Sequence, residues 1–308
     1  MTRARLPDGE GFVDRDGVRI AWETFGAGEP TILFVPTWSI VHSRVWKLQV
    51  PYFARKTRVV TFDPRGNGRS DRPVTPEGYA ETAFADDIVA VMDATDTRRA
   101  ILVSVSMGAQ RSLLVAAHHP DRVDGAVFIG AALPLGGLNP ARASVPFDDE
   151  LPTDDGWAKY NRHYWLRDYA GFLQFFFGEC VNEPHSTKPI EDCVNWGLEI
   201  DPRTLIATQE APGIPGRERT LELAARVRCP VLVIHGEADR IRPLRHAEEL
   251  AEATRGRLVT IEGGGHLPQV RDPVVVNLLI DEFVRSVARR AATPSAPTRR
   301  KRHARAVA

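Results

Sequence analysis

Residues 100–108 constrain the fold of this chain more than any other segment. The first six are apolar except for Ser104, which is typical of a buried strand, and a helix-like pattern begins at Met107. A strand that turns sharply into a helix within a G-x-S-x-G pattern holds its serine on a strained corner, with the hydroxyl exposed above a sheet. Here Ser104 stands at the first glycine position and Gly108 at the second. The pattern therefore predicts that Ser106 is a nucleophile.

Two later segments supply an acid and a base. The apolar residues 231–234 lead into a polar loop that contains Asp239, and a run of three glycines immediately precedes His266. A serine hydroxyl is a weak nucleophile at neutral pH, so it needs a histidine to take its proton and an acid to orient that histidine. The chain order serine, aspartate, histidine resembles that of the α/β-hydrolase family. The resemblance implies that Ser106, Asp239 and His266 form a catalytic triad.

Two further motifs extend the resemblance over most of the chain. Residues 63–70 are similar to the D-x-R-G-x-G-x-S loop of the family, and residues 119–123 are similar to the usual end of the nucleophile helix. Haloalkane dehalogenases and epoxide hydrolases of this fold have an aspartate at the position of Ser106, so the serine argues against both activities. The sequences around Trp38 and His185 are also similar to the hydrolase-like domains found beside actinobacterial nucleotide cyclases.

Strand-like and helix-like segments alternate along the sequence. This alternation predicts an α/β fold, with a mainly parallel sheet and helices on both faces, as in the α/β-hydrolase fold. Ligands of such sheets bind beyond the carboxyl ends of the strands, where Ser106, Asp239 and His266 are all expected. The strand-like segments are residues 18–24, 31–35, 57–62, 100–104, 125–129, 231–235 and 258–261, and the helix-like segments are residues 79–94, 107–118, 244–254 and 273–290.

The pattern changes between residues 134 and 216, where prolines, acidic residues and many aromatic residues occur. We interpret residues 134–216 as a helical cap inserted into a hydrolase core made of residues 10–133 and 217–290. The aromatic residues of the cap either pack against the core or line a pocket. Residues 291–308 contain several prolines and a run of basic residues, which predicts a disordered basic tail.

Charge and cysteine content argue against several classes of protein. The 308-residue chain has 40 basic and 40 acidic residues, but eight basic residues and no acid lie from Arg285 onward, so residues 1–284 have a net charge of −8. An acidic body argues against a nucleic-acid partner. The three cysteines lack metal-ligand spacing and favour a reducing cytoplasm over a disulfide framework. No apolar run is long enough to span a bilayer, so no membrane partner is expected.

The negative oxygen that forms during attack on a carbonyl needs two preorganised hydrogen-bond donors. The backbone N–H of Met107, directly after the nucleophile, is expected to be the first donor of this oxyanion hole. The second is expected from the N–H of Trp38, where Pro36 and Thr37 replace the His-Gly of many relatives. Pro36 has no N–H and Thr37 reaches glycine conformations only at a cost, so the sequence leaves the geometry of this half of the hole open.

The pocket residues are predicted from bulk and position. Trp38 places a large ring beside the nucleophile, and His42 follows on the same loop. Both residues favour a pocket with a bulky or aromatic wall that contacts the substrate. From the cap we expect Trp165, Phe176 and His185 to complete the pocket, and His185 lies in an unusual polar insert. The alternatives are core packing for the aromatic residues and a capping turn for His185.

Three functions are compatible with these residues. The first is hydrolysis of an ester or lactone of a fairly apolar small molecule through an acyl-enzyme. The second is carbon–carbon bond hydrolysis or acyl transfer on the same fold, which the altered loop at Pro36 keeps open. The third is a non-catalytic binding protein that has kept the fold. No cofactor or metal is implied, because the glycine-rich stretches form no phosphate loop and the histidines are scattered. A small-molecule substrate is the expected partner, and a homodimer stays open.

Overall fold

The computed structural model describes residues 5–137 and 139–292, and an eight-stranded sheet lies at its centre. The strands are β1 (Gly9–Arg15), β2 (Val18–Phe25), β3 (Ile32–Val35), β4 (Val59–Phe62), β5 (Ala100–Val105), β6 (Val123–Ile129), β7 (Val231–Gly236) and β8 (Arg257–Ile261). Their order across the sheet is β1-β2-β4-β3-β5-β6-β7-β8. The pairs β1–β2 and β2–β4 are antiparallel and the remaining pairs are parallel.

Helices cover both faces of this sheet and fill the long segment between β6 and β7. The α-helices are α1 (Val50–Phe53), α2 (Glu81–Ala94), α3 (Gly108–His118), α4 (Pro140–Ala143), α5 (Arg162–Arg167), α6 (Tyr169–Cys180), α7 (Thr187–Gly197), α8 (Pro202–Glu210), α9 (Gly216–Arg226), α10 (Arg245–Thr254), α11 (Pro268–Arg271) and α12 (Pro273–Ala292). Short 3₁₀ helices span Ser43–Trp46, Pro76–Tyr79 and Gly156–Lys159.

Strand β5 shows why the sheet carries helices on both faces. All six of its residues are buried. Because successive side chains of a strand point to opposite faces, Ile101 and Val103 join the core shared with α1 and α12, whereas Leu102 joins the core shared with α2, α3, α9 and α10. The predicted mainly parallel sheet with helices on both faces is therefore confirmed.

Strand β1 was not predicted from the sequence. It lies at the sheet edge and pairs with β2, and its residues alternate between exposed and half-buried. Its two glycines, Gly9 and Gly11, and its charged residues obscure the apolar alternation that identifies a strand. Asp16 and Gly17 join it to β2 with φ values of 55° and 82°, as a tight hairpin requires. This Asp-Gly pair was the local signal that could have revealed the hairpin.

The segment predicted as a cap contains helices α4 to α8, and α9 begins at Gly216. Most of its aromatic side chains are buried and pack on one another, with the rings of Trp165 and Phe172 4.5 Å apart between centroids. Helix α12 continues to Ala292, so the first two residues of the predicted tail are helical. Residues 293–308 of that tail lie outside the described residues. None of the helices within residues 5–137 and 139–292 is long and apolar enough to cross a membrane.

Candidate active site

Ser106 lies at the corner between β5 and α3, where the sequence predicts a nucleophile. Its φ of +52° is in the left-handed region, which a non-glycine residue adopts only at a cost. The N–H of Ser106 donates to the carbonyl of Ile129 on the neighbouring strand at 2.9 Å and fixes the corner. Ser104, at the position of the first motif glycine, is buried and donates from its hydroxyl to the carbonyl of Val127 at 3.1 Å. The hydroxyl of Ser104 is therefore buried in the sheet with a hydrogen-bond acceptor of its own.

Gly108 is required by the close approach of two backbones. A Cβ at this position would lie 2.6 Å from the carbonyl oxygen of Pro36, in the loop after β3. Real Cβ atoms do not approach backbone oxygens so closely, so any larger residue would push this loop away from α3. The loop that contains Trp38 is therefore seated directly on the start of the nucleophile helix.

His266 bridges the serine and the acid. Its Nδ1 lies 2.8 Å from Oδ2 of Asp239, and its Nε2 lies 2.9 Å from Oγ of Ser106. The His266 backbone N–H donates to the carbonyl of Cys180 at 2.9 Å, and Gly130 leaves room for the His266 carbonyl, which would lie 2.5 Å from a Cβ there. The three side chains that the sequence predicted to meet lie in one continuous chain of hydrogen bonds.

Asp239 is held as a carboxylate by its surroundings. Its Oδ1 accepts the backbone N–H groups of Ile241 and Arg242 at 2.7 and 2.9 Å, which leaves Oδ2 for His266. Burial raises the pKa of Asp239, but the charge and hydrogen bond of His266, together with His235 and the Arg242 amide, bring it below its ordinary value. An ionised Asp239 accepts the Nδ1 proton of His266, so the lone pair of Nε2 faces the Ser106 hydroxyl.

The two amides predicted as oxyanion donors have no acceptor of their own. Within the described residues, the backbone N–H groups of Trp38 and Met107 donate to no protein atom. The indole of Trp38 is fixed from the other side, because its Nε1 donates to Oγ1 of Thr208 on α8 at 2.7 Å. A buried amide without an acceptor is costly, which is consistent with a site prepared for a ligand oxygen.

A buried ion pair holds the loop that precedes Trp38. Arg111 on α3 is 1% exposed, and its Nε donates to Oε2 of Glu81 on α2 at 3.1 Å. Its Nη1 donates to the carbonyls of Thr37 and Pro36 at 2.6 and 3.3 Å. Sequence reasoning did not identify Arg111 or Glu81, because nothing in the local pattern separates them from ordinary helix-surface residues.

A cavity of about 630 Å³ opens beside Ser106. Its apolar wall includes Trp38, Tyr160, Phe176 and Ile241, and its charged residues include Arg142 and Arg242. The volume is in the range of small-molecule sites. Of the predicted pocket residues, Trp38 and Phe176 line this cavity.

The other three predicted pocket residues do not line this cavity, and their assignment is corrected. His42 is buried beside Asp63 and Glu199. Trp165 is completely buried behind Trp38, with ring centroids 5.8 Å apart, and donates from Nε1 to the carbonyl of Lys159. His185 is exposed in the turn before α7, with a φ of 61°. Bulk and polarity in the sequence could not separate a lining residue from one packed directly behind it.

Tyr160, Arg142 and Arg242 were missed as cavity residues. Arg242 follows Asp239 by three residues, so its nearness to the predicted acid was a usable signal. Arg142 and Tyr160 come from the segment predicted as a cap, whose internal fold the sequence pattern did not resolve. Across the described ranges, no group of three or more His, Cys, Asp or Glu side chains is placed to hold a metal ion.

Fold and site together define the class of this protein. The family model for the alpha/beta hydrolase fold matches residues 30–273, and the chain belongs to this family. The predicted resemblance is therefore confirmed.

The chain is similar to several hydrolases of known name. The chain is 28% identical to the bifunctional esterase/perhydrolase of Acinetobacter calcoaceticus, over 88% of this chain and 98% of the relative. It is 26% identical to the 2-hydroxymuconate semialdehyde hydrolase of a Pseudomonas species, over 87% of this chain and 91% of the relative. A solved structure described as an N-acyl homoserine lactone degrading enzyme is similar, with a TM-score of 0.71, 26% identity, and coverage of 89% of this chain and 100% of that one.

Proposed function

We propose that this chain is a serine hydrolase that cleaves an ester or lactone of a small molecule through an acyl-enzyme. One observation carries the proposal: Ser106, His266 and Asp239 are joined by hydrogen bonds of 2.9 and 2.8 Å at the edge of a 630 Å³ cavity. A folded protein gains nothing from a strained serine corner aligned in this way, whereas an acyl transfer site needs it.

In the first half of the reaction, Oγ of Ser106 bonds to the carbonyl carbon of the substrate while Nε2 of His266 takes the hydroxyl proton. The carbonyl oxygen becomes negative, and the N–H groups of Trp38 and Met107 donate to it. When the carbon–oxygen bond to the leaving group breaks, His266 returns its proton to the departing oxygen. The acyl group then remains on Ser106 as an ester, and Asp239 has stabilised the positive imidazolium throughout.

Water completes the cycle. Nε2 of His266 takes a proton from a water molecule as its oxygen bonds to the acyl carbon. The bond to Oγ of Ser106 breaks, His266 returns the proton to this oxygen, and the carboxylic acid leaves. The same two amides stabilise the second negative oxygen, so no metal or cofactor is needed in any step.

The relatives support this class of reaction, since their names include an esterase and a lactone-degrading enzyme. The cavity supports a small substrate with an apolar portion, because Trp38, Tyr160, Phe176 and Ile241 form much of its wall.

A fluorophosphonate probe tests the nucleophile. We expect the wild-type protein to be labelled, Ser106→Ala to remain unlabelled, and turnover of short aryl esters to fall at least about 10⁴-fold in that variant. Ser104→Ala is the matched control, because Ser104 is a buried serine two residues earlier whose hydroxyl bonds to Val127 rather than to His266. Labelling or turnover that survives in Ser106→Ala would refute the proposal. A folded wild-type protein that never reacts would favour the non-catalytic alternative.

A further inference from the structure

Arg242 forms no ion pair within 4.0 Å in the described part of the chain, although the charge of Asp239 acts on it from a greater distance. Its side chain lines the cavity beside Ser106, and its Nε is buried with no hydrogen-bond partner. Its backbone N–H is bonded to Oδ1 of Asp239, so its position relative to the hydrogen-bonded triad is fixed. A buried guanidinium without an anionic partner is costly, and such groups are normally paired.

Arg242 as a whole is half-buried, whereas two arginines of the described residues, Arg65 and Arg111, are buried and follow the normal rule. Arg65 donates to both carboxylate oxygens of Asp87 at 2.7 and 2.6 Å. Arg111 is paired in the same way with Glu81, the acid that lies at the cavity wall. Within residues 5–137 and 139–292, no carboxylate oxygen lies within 4.0 Å of the guanidinium nitrogens of Arg242. Arg242 thus differs from Arg65 and Arg111, which are both paired with carboxylates.

A second arginine lines the same cavity. Arg142 comes from α4, and its guanidinium carbon lies 4.1 Å from the ring centroid of Tyr160. Arg142 also lines the cavity and has no carboxylate within 4.0 Å among the described residues. Burial and the positive charge of Arg142 lower the pKa of Arg242 to about 10, although the charge of Asp239 acts in the opposite direction.

We propose that Arg242 and Arg142 form an anion-binding subsite, and that the substrate is an ester or lactone with a carboxylate at the end away from the reacting carbonyl. This inference rests on the proposed function. A carboxylate satisfies both guanidinium groups, because arginine binds carboxylate oxygens through paired N–H donors. The apolar wall formed by Trp38, Phe176 and Ile241 then contacts the carbon chain between the two ends.

Two matched substrates test the proposal. One is the mono-4-nitrophenyl ester of adipic acid, and the other is the same ester with its free carboxyl converted to a neutral amide. We expect wild-type kcat/KM for the acid to exceed that for the amide by about 10- to 100-fold, because a hydrogen-bonded ion pair contributes this much to recognition. In Arg242→Gln and Arg142→Gln the acid-to-amide ratio should fall toward one, and Arg242→Lys should retain part of it.

Arg240→Gln is the control, since Arg240 is exposed two residues from Arg242, lies outside the cavity lining and pairs with Glu179. It should keep the wild-type ratio. A wild-type ratio near one, or an unchanged ratio in Arg242→Gln, would overturn the subsite.

Failure of the proposed function is recognised separately, because neither ester would then be hydrolysed and Ser106 would not be labelled. In that case adipate itself is titrated into Ser106→Ala, with binding followed by calorimetry. Binding that is lost on adding Arg242→Gln supports the subsite, and absence of binding overturns it.

Discussion

Nη1 of Arg111 donates to the carbonyl oxygen of Thr37 at 2.6 Å and joins the nucleophile helix to the loop that contains Trp38. The same guanidinium is paired with Glu81, so α2, α3 and the loop after β3 meet at one buried charge. Because Thr37 directly precedes Trp38, this contact holds the backbone beside the Trp38 amide.

Arg111→Met should damage both stability and turnover. It leaves Glu81 buried without its cation, which costs about 3 to 5 kcal/mol of unfolding free energy. The variant Arg111→Met/Glu81→Gln removes the unpaired carboxylate of Glu81. It should recover much of the lost unfolding free energy, as measured by urea unfolding. Its kcat should nevertheless stay reduced, because the Thr37 carbonyl still lacks its donor. A double variant with wild-type kcat would show that the ion pair only stabilises the fold.

Gly108→Ala tests the contact between α3 and the loop after β3. A Cβ there would lie 2.6 Å from the Pro36 oxygen, so we expect a loss of about 1 to 3 kcal/mol in unfolding free energy and a lower kcat. Gly178→Ala is the matched control, because Gly178 lies within α6 and a Cβ there would meet nothing within 4 Å. The control should gain up to about 1 kcal/mol from better helix propensity. Equal behaviour of the two variants in thermal melts and kinetics would rule out the steric constraint.

Asp239→Asn should preserve the fold and reduce kcat about 10⁴-fold at neutral pH. The asparagine oxygen can still accept the N–H groups of Ile241 and Arg242, but its NH₂ group would then face Nδ1 of His266 and favour the wrong tautomer. Nε2 of His235 lies 3.5 Å from Oδ2 of Asp239 but is hydrogen-bonded to the carbonyl of Arg242. His235 therefore does not take over the contact of Asp239 with His266. Steady-state kinetics with an aryl ester measure the effect. A loss smaller than tenfold would exclude the assigned role of Asp239.

His246 makes the fold sensitive to acid. This residue of α10 is 1% exposed, and its Nε2 bonds to the carbonyl of Gly137 beside the cavity. Burial, with the charges of Arg242 and Arg245, lowers its pKa from 6.5 to about 4. The unfolded chain therefore binds the proton more readily, so the contribution of His246 to stability is complete above pH 6.5 and is lost as the pH falls toward 4.

His246→Gln isolates this effect, because a glutamine amide can still donate to Gly137 but does not titrate. Between about pH 7.5 and 4.5, the wild-type protein should lose about 2 to 3 kcal/mol more unfolding free energy than the variant. Urea unfolding at several pH values measures this difference, and other titrating groups contribute equally to both proteins. Parallel stability profiles for the two proteins would contradict the assignment.

The parts of the site that follow from local pattern were predictable. The strand-to-helix corner at Ser106, the acid after β7 and the histidine after three glycines were all identified from short segments, because strand, turn and helix propensities act over a few residues. The parallel sheet followed from the alternation of such segments. Strand β1 was missed, since an edge strand that is half exposed has little apolar pattern.

The sequence by itself therefore determined the fold class and three residues of the candidate site. Tertiary structure decided the rest of the cavity: Trp165 packs behind Trp38 instead of lining the wall, and His185 lies in an exposed turn. It also brought the arginines of α4 and of the loop after β7, about 100 residues apart in the chain, into the lining of one cavity, where each has no carboxylate within 4.0 Å among the described residues. Such contacts depend on how the helices between β6 and β7 pack against the rest of the protein, and packing between distant segments leaves no periodic signal in the sequence.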